Sequence, residues 1–187
     1  MSGYAKWGWL IAVAAGSAWI AEAVAIRLSS DGDHWDCNSR WDYGINTLDP
    51  IAFGLTALAV VAVHQRQRRR SGRLGAFAAG AAVLGLLAGG INNPIEHCGD
   101  IAALGTILWA PAALLTTFGQ VLLGIVTIRG RVLPIWAGAI LLVGALSPLV
   151  AADSGGTIGL GLAWIAVGTA LRISKHPDEQ IVGVTTA

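Results

Sequence analysis

The sequence predicts an all-α protein: a polytopic integral membrane bundle of six transmembrane helices with both termini in the cytoplasm. The chain of 187 residues is 55% hydrophobic and only 12% charged, whereas about a quarter of the residues in soluble domains are charged. Apolar stretches near the length of a membrane crossing recur along it. Basic residues cluster between alternate stretches. No stretch is long enough for a separate soluble domain, so residues 1–187 are expected to form one transmembrane domain.

Six apolar stretches can be assigned as spans on the expectation of about 20 residues per crossing. The predicted spans are residues 6–28, 50–64, 74–92, 101–128, 132–152 and 157–173. The second stretch is short, so its helix is expected to begin earlier or to extend into the Arg-rich segment that follows. The first is too long for a signal peptide and lacks a small-residue cleavage site, so it counts as a span.

The basic residues predict the orientation of the bundle. They are Arg66, Arg68, Arg69, Arg70 and Arg73 in one segment, Arg129 and Arg131 in another, and Arg172 and Lys175 near the C-terminus. With the N-terminus inside, all three segments are cytoplasmic, as the positive-inside rule requires. Most of the acids then face outward, in segments 29–49, 93–100 and 153–156. Short Arg clusters beside apolar spans are typical of membrane anchors, so the expected environment is the bilayer of a bacterial plasma membrane and not nucleic acid.

Glycines at four-residue spacing predict close helix packing. Gly85 and Gly89 lie in the third span, and Gly155 and Gly159 lie at the start of the sixth. Small residues at this spacing let helix backbones approach closely in lipid. A compact bundle is the favoured interpretation, and a homo-oligomer is the alternative. The two halves show no inverted repeat, which counts against a transporter built from repeats.

The segment 129–146, RGRVLPIWAGAILLVGAL, resembles one that recurs in small polytopic bacterial membrane proteins of unknown function. The resemblance extends over about residues 119–173. It implies a helical hairpin and its topology, and it transfers no site residues.

Two cysteines, Cys37 and Cys98, are both expected in outward segments. In an oxidising compartment such a pair most often forms a disulfide. Closing the roughly 60 residues between them would stabilise the fold by about 4 kcal/mol. The alternative is a zinc or copper site that includes His34 and His97. The spacing matches no common zinc pattern, so the prediction is a disulfide and no metal.

Glu22 is an acid within the first span, about six residues (roughly 9 Å of helix) from its outer end. A carboxyl group at that depth usually faces the bundle interior or a wet cavity. It is therefore expected to be protonated at neutral pH and able to donate a proton. The alternative is a structural role, in which Glu22 pairs with Arg27, Arg40 or the amides of Asn92 and Asn93.

Four further polar residues lie near the predicted outer ends of spans. Asp49 precedes Pro50 and Asp100 precedes a span, which is the pattern of helix N-caps. Glu96 and His97 are not explained in this way, and an acid beside an imidazole is suited to general acid–base chemistry. Solvated loop residues are the alternative interpretation for Glu96 and His97.

Eight tryptophans exceed the three Phe and two Tyr. Five lie near predicted membrane surfaces, where an aromatic belt explains them. Trp19, Trp109 and Trp164 lie deeper. Indole faces stabilise cations, so these three are candidates for an electron-rich pocket wall. Ordinary packing is the alternative explanation for each of them.

The first functional hypothesis is an intramembrane enzyme that acts on a lipophilic small molecule by acid-initiated chemistry, without a cofactor. Glu22 would donate the proton, with Asp49, Glu96 and His97 as catalytic partners. The substrate would bind to Trp19, Asn92, Asn93, Trp109 and Trp164. Isomerisation, or cyclisation of an isoprenoid or epoxide, fits an acid beside aromatic rings. This set is similar in kind to that of small membrane-bound terpene cyclases, by chemistry and not by motif.

Two other hypotheses remain open. A proton-coupled small transporter would use Glu22 as its gate, but a conducting path needs polar groups on both sides of the midplane. An accessory subunit would use the outward polar surface to bind a larger membrane complex, with the disulfide as a brace.

Overall fold

A computed structural model of the chain describes residues 4–29, 37, 39–98, 102–150 and 156–174. The side chains of residues 4–6, 93–98, 102–104 and 106 lie outside this description. The described residues form five helices: α1 Tyr4–Leu28, α2 Arg40–Cys98, α3 Ala102–Gly130, α4 Ile135–Val150 and α5 Gly156–Ile173. Every regular element within the described ranges is an α-helix, which confirms the all-α class.

Helix α2 is broken at one residue, Gly72, whose backbone has φ 57° and ψ −148°. We call residues 40–71 the first arm and residues 73–98 the second arm. A Cβ at Gly90 would lie 3.0 Å from Cβ of Phe53 and 3.5 Å from Cα of Pro50. The second arm therefore folds back antiparallel along the first. The predicted loop at 65–73 is wrong, because the turn consists of a single non-helical glycine.

The first arm begins after Ser39, ten residues before the predicted span 50–64, and it extends into the Arg-rich segment, as the shortness of that span indicated. The amide N–H of Ser39 donates to Oδ2 of Asp42 at 2.8 Å, and the amide N–H of Asp42 donates to Oγ of Ser39 at 3.2 Å. These reciprocal bonds form a capping box, which satisfies two amides at the helix start. The prediction that Asp49 caps a helix beginning at Pro50 is wrong, because both residues lie inside α2. Asp100 lies outside the described residues.

The helices pack in a closed ring. Each packs against its neighbours in sequence, and α5 returns to pack against α1. At one end of the ring, the guanidinium group of Arg172 on α5 lies 4.8 Å from the ring centroid of Trp9 on α1. The side chain of Arg66 on α2 donates a hydrogen bond to the backbone carbonyl of Ser174, just after α5. These contacts connect α5 and the residue after it to α1 and α2.

Small residues form the seams between neighbouring helices. A Cβ at Gly85 would lie 2.6 Å from Oγ1 of Thr116 on α3, and a Cβ at Gly161 on α5 would lie 2.6 Å from the carbonyl oxygen of Gly16 on α1. Such distances leave no room for a larger side chain, so the backbones touch. Of the other predicted packing glycines, Gly89 packs against the first arm and Gly159 against α4. Gly155 lies outside the described residues.

The outer surface of the ring is apolar. Its exposed large side chains include Leu84, Ile107, Leu114, Val143 and Val150, each more than 60% exposed. Four helical stretches are long and apolar enough to cross a membrane, and one of them contains both arms of α2. Helix α4 has 16 residues, about 24 Å at 1.5 Å per residue, which is shorter than the predicted span 132–152. These features are compatible with a multi-pass membrane protein.

Candidate functional site

The site begins with two acidic side chains, Glu22 on α1 and Asp49 on the first arm of α2. Both are 3% exposed, and their carboxyl groups are hydrogen-bonded to each other. A hydrogen bond between two carboxyl groups requires a proton on one of them. Oε2 of Glu22 is buried and has no hydrogen-bond partner within the described part of the chain. The pair therefore shares a proton, and one buried oxygen of Glu22 keeps unused hydrogen-bonding capacity.

A third buried polar side chain near this pair is Asn92, on the second arm of α2. Gly89 and Gly90 pack against Phe53, and Gly90 also approaches Pro50. Continuing this antiparallel register by two residues brings Asn92 level with Asp49. Its side chain is 2% exposed. A buried amide therefore lies at the level of the carboxyl pair, and the prediction that Asn92 binds a substrate stays a prediction.

An aromatic layer lies one helical turn from the carboxyl pair, towards the N-terminus of α1. Nε1 of Trp19 donates to Oγ1 of Thr56 at 2.9 Å, and that hydroxyl donates to the carbonyl of Ala52 at 2.7 Å. The rings of Trp19 and Phe53 meet edge to face, with centroids 4.9 Å apart and an interplanar angle of 73°. Trp19 lies three residues before Glu22, so the two share a helix face. The orientation of the indole beside the acid is thus fixed by a hydrogen bond and by packing.

A second polar layer lies on the other side of the pair, towards the start of α2. Asn46 is 3% exposed and Asp42 is 6% exposed. Nδ2 of Asn46 donates to the backbone carbonyl of Asp42 at 3.0 Å and to Sγ of Cys37 at 3.5 Å. No cysteine among the described residues is free. The side chain of Cys98 lies outside the described residues, so the pairing of the two stays a prediction.

An apolar groove of about 520 Å³ opens on the outer surface, at the seam between α1 and the first arm. It is lined by Ala25, Trp41, Tyr43, Gly44, Ile45, Thr47 and Leu48. Ala25 lies three residues after Glu22, and Leu48 immediately precedes Asp49. The groove therefore lies on the outer surface beside Asp42 and Asn46, between the level of the carboxyl pair and the start of α2.

An apolar layer lies beyond the aromatic layer, on the side that faces away from the carboxyl pair. It contains Val63, Leu123 and Leu141, each no more than 1% exposed. Beyond it, Oγ1 of Thr127 donates to Oε1 of Gln67 at 3.1 Å, and both side chains are buried. The polar groups around Glu22 are thus separated from this second polar pair by hydrocarbon.

The three deep tryptophans do not form one wall. Trp19 lies beside Glu22. Trp164 is fully buried on α5. Trp109 is 60% exposed on the outer surface of α3, because its position on that helix faces away from the ring. The expectation that Trp109 lines an enclosed pocket together with the other two is therefore wrong for the described chain.

Three predicted site residues fall where only the backbone is described. Asn93, Glu96 and His97 belong to the last turns of α2, so the predicted loop at 93–100 is wrong for residues 93–98, which are helical. Their side chains lie outside the described residues, and so does the proposed acid–imidazole pair. Within the described chain, no group of three or more His, Cys, Asp or Glu side chains could hold a metal ion.

Sequence reasoning missed Asn46, Phe53 and Thr56 as neighbours of the carboxyl pair. Residues 42, 46, 49, 53 and 56 follow the spacing of a single helix face. This signal was present in the sequence. The prediction of a loop before Pro50 hides this signal, because helical spacing has no meaning in a loop.

No family model, curated protein or solved structure matches this chain. The resemblance of segment 129–146 to small bacterial membrane proteins therefore stays a prediction, and the function is argued from the site alone.

Proposed function

We propose that this protein is an integral membrane enzyme that isomerises or cyclises a lipophilic substrate by protonating it. The observation that carries the proposal is the hydrogen-bonded pair of buried carboxyl groups, Glu22 and Asp49, next to the rings of Trp19 and Phe53. A buried acid pair shares a proton and can release it to a bound group. Aromatic faces stabilise the cation that results.

The proposed reaction needs no cofactor. The proton from the Glu22–Asp49 pair adds to an alkene carbon or to an epoxide oxygen, which opens the C–O bond and leaves a cationic carbon. That carbon either rearranges or is attacked by a second double bond. Loss of a proton from a neighbouring carbon to the carboxylate then restores the pair. Atoms and charge balance, because the proton that is taken up is returned.

The apolar groove at the seam of α1 and α2 supports a substrate that arrives from the bilayer. Its lining extends from the start of α2 to Leu48, next to Asp49, and Trp41 and Tyr43 on its rim are about half exposed. An apolar molecule dissolved in lipid meets no polar barrier at such a groove. Water-soluble substrates would have to cross the polar layer that contains Asn46.

Topology is part of the same proposal. The two arms of α2 each cross the bilayer once, so the chain has six spans, and both termini face the cytoplasm of a bacterial cell. The Arg residues near Gly72 and after α3 support this orientation. The carboxyl pair then lies in the extracytoplasmic half, below a cap in which Cys37 and Cys98 form a disulfide.

The test is turnover by the purified protein in lipid nanodiscs, with a panel of isoprenoid alkenes and epoxides and product detection by mass spectrometry. We expect Glu22→Gln and Asp49→Asn each to lower product formation by at least about a hundredfold, a typical size for acid catalysis. Trp109→Phe, on the outer surface, is the matched control and should retain full activity. Unchanged turnover in both carboxyl variants would refute the acid role.

A proton-coupled small transporter is the second candidate, favoured by the buried Gln67–Thr127 pair in the opposite half of the ring. The apolar layer of Val63, Leu123 and Leu141 interrupts the path between the two polar regions, which counts against conduction. Liposomes with the protein and a pH-sensitive dye inside decide this: pH-driven or substrate-linked flux that Glu22→Gln abolishes would favour the transporter. Recovery in a larger complex, with neither turnover nor flux, would favour the accessory-subunit hypothesis.

A further inference from the structure

Six exposed arginines lie at the end of the ring where α2 turns back and α3 ends. We call them the arginine layer: Arg68, Arg69, Arg70, Arg73, Arg129 and Arg131. The carboxyl pair does not involve them, because Asp49 precedes Arg68 by 19 residues, about 28 Å of helix. The acidic side chains within the described part of the chain are Glu22, Asp42 and Asp49, and all three belong to the other half of the ring.

The arginine layer is thin. Oγ1 of Thr127 on α3 lies 3.1 Å from Oε1 of Gln67 on the first arm, so these two residues are level. A Cβ at Gly75 on the second arm would lie 3.5 Å from Cγ1 of Val126. Every arginine of the layer is one to four residues beyond Gln67, Thr127 or Gly75, which is at most about 6 Å of helix. Three neighbouring helix ends therefore carry the six charges at one depth.

Arg131 has an unusual backbone conformation. Its φ is 50°, in the left-handed region where glycine is preferred because it has no Cβ. The amide N–H of Arg131 donates to the carbonyl oxygen of Thr127 at 3.2 Å and so ends α3. Glycine would end the helix with less strain, so this position indicates a role for the side chain itself.

The arginine layer borders the apolar outer surface. On the second arm, Phe77, Leu84 and Ile91 are 60%, 64% and 61% exposed. Residues 73, 77, 84 and 91 lie within about 40° of one another around the helix axis, so Arg73 ends this apolar stripe. From Arg73 to Leu84 is about 16 Å of helix, half of the roughly 30 Å of a bilayer core. The stripe therefore matches one lipid acyl chain in length, with a guanidinium group at the headgroup end.

Arg129 lies on the neighbouring helix at the same depth. It follows Val126 by three residues, about 60° around α3 from the contact with the second arm, and it is exposed. Because Gly75 packs against Val126, Arg73 is level with about residue 128. The two arginines are thus on the outer surface of adjacent helices, one residue apart in depth.

We propose that the arginine layer binds the headgroup of an anionic phospholipid, with Arg73 and Arg129 at the phosphate and an acyl chain along Phe77 and Leu84. Guanidinium groups donate paired hydrogen bonds to phosphate oxygens. An anion among like charges also offsets their repulsion. The adjoining stripe favours a lipid over a soluble phosphate, because a soluble anion has no chain to place there. This inference goes beyond the proposed enzyme and does not depend on it.

The experiment measures lipid binding to the protein in a neutral detergent by native mass spectrometry. The probes are dioleoyl phosphatidylglycerol, dioleoyl phosphatidylcholine and glycerol 3-phosphate, which has the phosphate without the chains. An arginine near a membrane surface is worth about fivefold in binding of anionic lipid. We therefore expect the phosphatidylglycerol to bind roughly 25-fold more tightly than the phosphatidylcholine. Equal binding of the two lipids overturns the inference, and so does binding of glycerol 3-phosphate as tight as that of phosphatidylglycerol.

Variants locate the site. Arg73→Gln and Arg129→Gln should each lower the preference for phosphatidylglycerol about fivefold. Arg40→Gln is the matched control, because Arg40 is exposed at the start of α2, at the other end of the ring. It removes the same charge and should leave the preference unchanged. An equal loss in Arg40→Gln would mean that only net charge matters, and the proposed site would be refuted.

Arg131→Gly separates lipid binding from folding. We expect a weaker preference for phosphatidylglycerol together with a melting temperature in neutral detergent that is no lower than that of the wild type, because glycine relieves the strain at φ 50°. A lower melting temperature with an unchanged preference would contradict the place of Arg131 in the site.

Two acids of this chain are the alternative partner of the arginine layer. Asp178 and Glu179 follow α5 in the sequence and lie outside the described residues. If they neutralise the layer in place of lipid, the preference for phosphatidylglycerol is absent from the wild type and emerges when Asp178→Asn and Glu179→Gln are combined. That result overturns the inference, whereas the same preference in both proteins supports it.

Discussion

At the scale of single residues, the buried polar side chains differ in how they are satisfied. Thr56 donates to its own helix and accepts from Trp19, so its hydroxyl group is saturated and serves to position the indole. Glu22 shares a hydrogen bond with Asp49 and keeps one oxygen without a partner. Buried groups that are saturated hold a fold together, whereas a buried group with free hydrogen-bonding capacity is suited to meeting a ligand.

A double-mutant cycle tests the coupling of the carboxyl pair. Glu22→Leu and Asp49→Leu should each lower the free energy of unfolding by about 1–3 kcal/mol, because each leaves the other carboxyl group buried without this partner. The double variant should lose less than the sum, with a coupling of at least about 1 kcal/mol. Unfolding in mixed detergent micelles, followed by circular dichroism, measures all four proteins.

Leu84→Ala and Leu162→Ala form the control pair for this cycle. Both leucines are on the outer surface, 64% and 57% exposed, on helices that do not pack against each other. Their effects should add within about 0.5 kcal/mol. Additive effects in the carboxyl pair as well would mean that the two acids do not interact.

At the scale of elements, the decisive feature is the break in α2. A continuous helix of 59 residues would be about 88 Å long, far more than the roughly 30 Å of a bilayer core. Gly72 divides it into two arms, and the second arm brings Asn92 back to the level of Asp49. Without this reversal, Asn92 would not lie at the level of the carboxyl pair.

Gly72→Ala should lower the free energy of unfolding by about 1–3 kcal/mol. The reason is conformational, since φ 57° with ψ −148° is a backbone region that residues with a Cβ rarely adopt. Steric contact is not involved, because a Cβ at Gly72 would have nothing within 4 Å. Thermal unfolding of the detergent-solubilised protein measures the change.

Gly80→Ala is the matched control. A Cβ at Gly80 would also meet nothing within 4 Å, but the residue is helical. Alanine is the better helix former, so the protein should be unchanged or more stable by up to about 1 kcal/mol. Equal stability of the Gly72 and Gly80 variants would contradict the proposed role of the break.

At the scale of the whole molecule, the ring has an apolar exterior and a partly polar interior. In lipid, helices gain nothing by burying apolar side chains, so close backbone packing and interior hydrogen bonds hold a bundle together. The glycine seams and the layers around Asn46, Glu22 and Thr56 fit this rule. The apolar layer at Val63 separates the polar groups around Glu22 from the Gln67–Thr127 pair.

The proposed orientation is tested by labelling in intact bacterial cells. After mild reduction, a membrane-impermeant maleimide should react with Cys37 and Cys98, because both lie on the extracytoplasmic side. Without reduction it should not react, since a disulfide leaves no thiol. In a variant with Cys37→Ser, Cys98→Ser and Ser174→Cys, the one remaining thiol is at the opposite end of the ring. It should react only after the membrane is opened, and labelling of Ser174→Cys in closed cells would invert the topology.

The sequence by itself determined the helical class, the apolar character of the surface and the identity of Glu22 as an unusual residue. These properties can be predicted because they depend only on composition and on the cost of placing a charged group in lipid, which does not depend on the details of the fold. It also indicated Asp49, Asn92 and Trp19, each for a separate reason. It placed the start of the second helix at Pro50, ten residues too late, because the Ser39–Asp42 capping box lies within a polar segment that resembles a loop.

Only the tertiary structure decided which of these residues meet. Glu22 and Asp49 are 27 positions apart, and their hydrogen bond depends on the register between α1 and the first arm of α2. Trp109 and Trp164 are both tryptophans deep in a predicted span, yet one lies outside the ring and the other inside. The difference arises because packing against neighbouring helices decides which face of each helix points inward. Such relations arise from contacts between distant segments, and the spacing along one segment does not contain them.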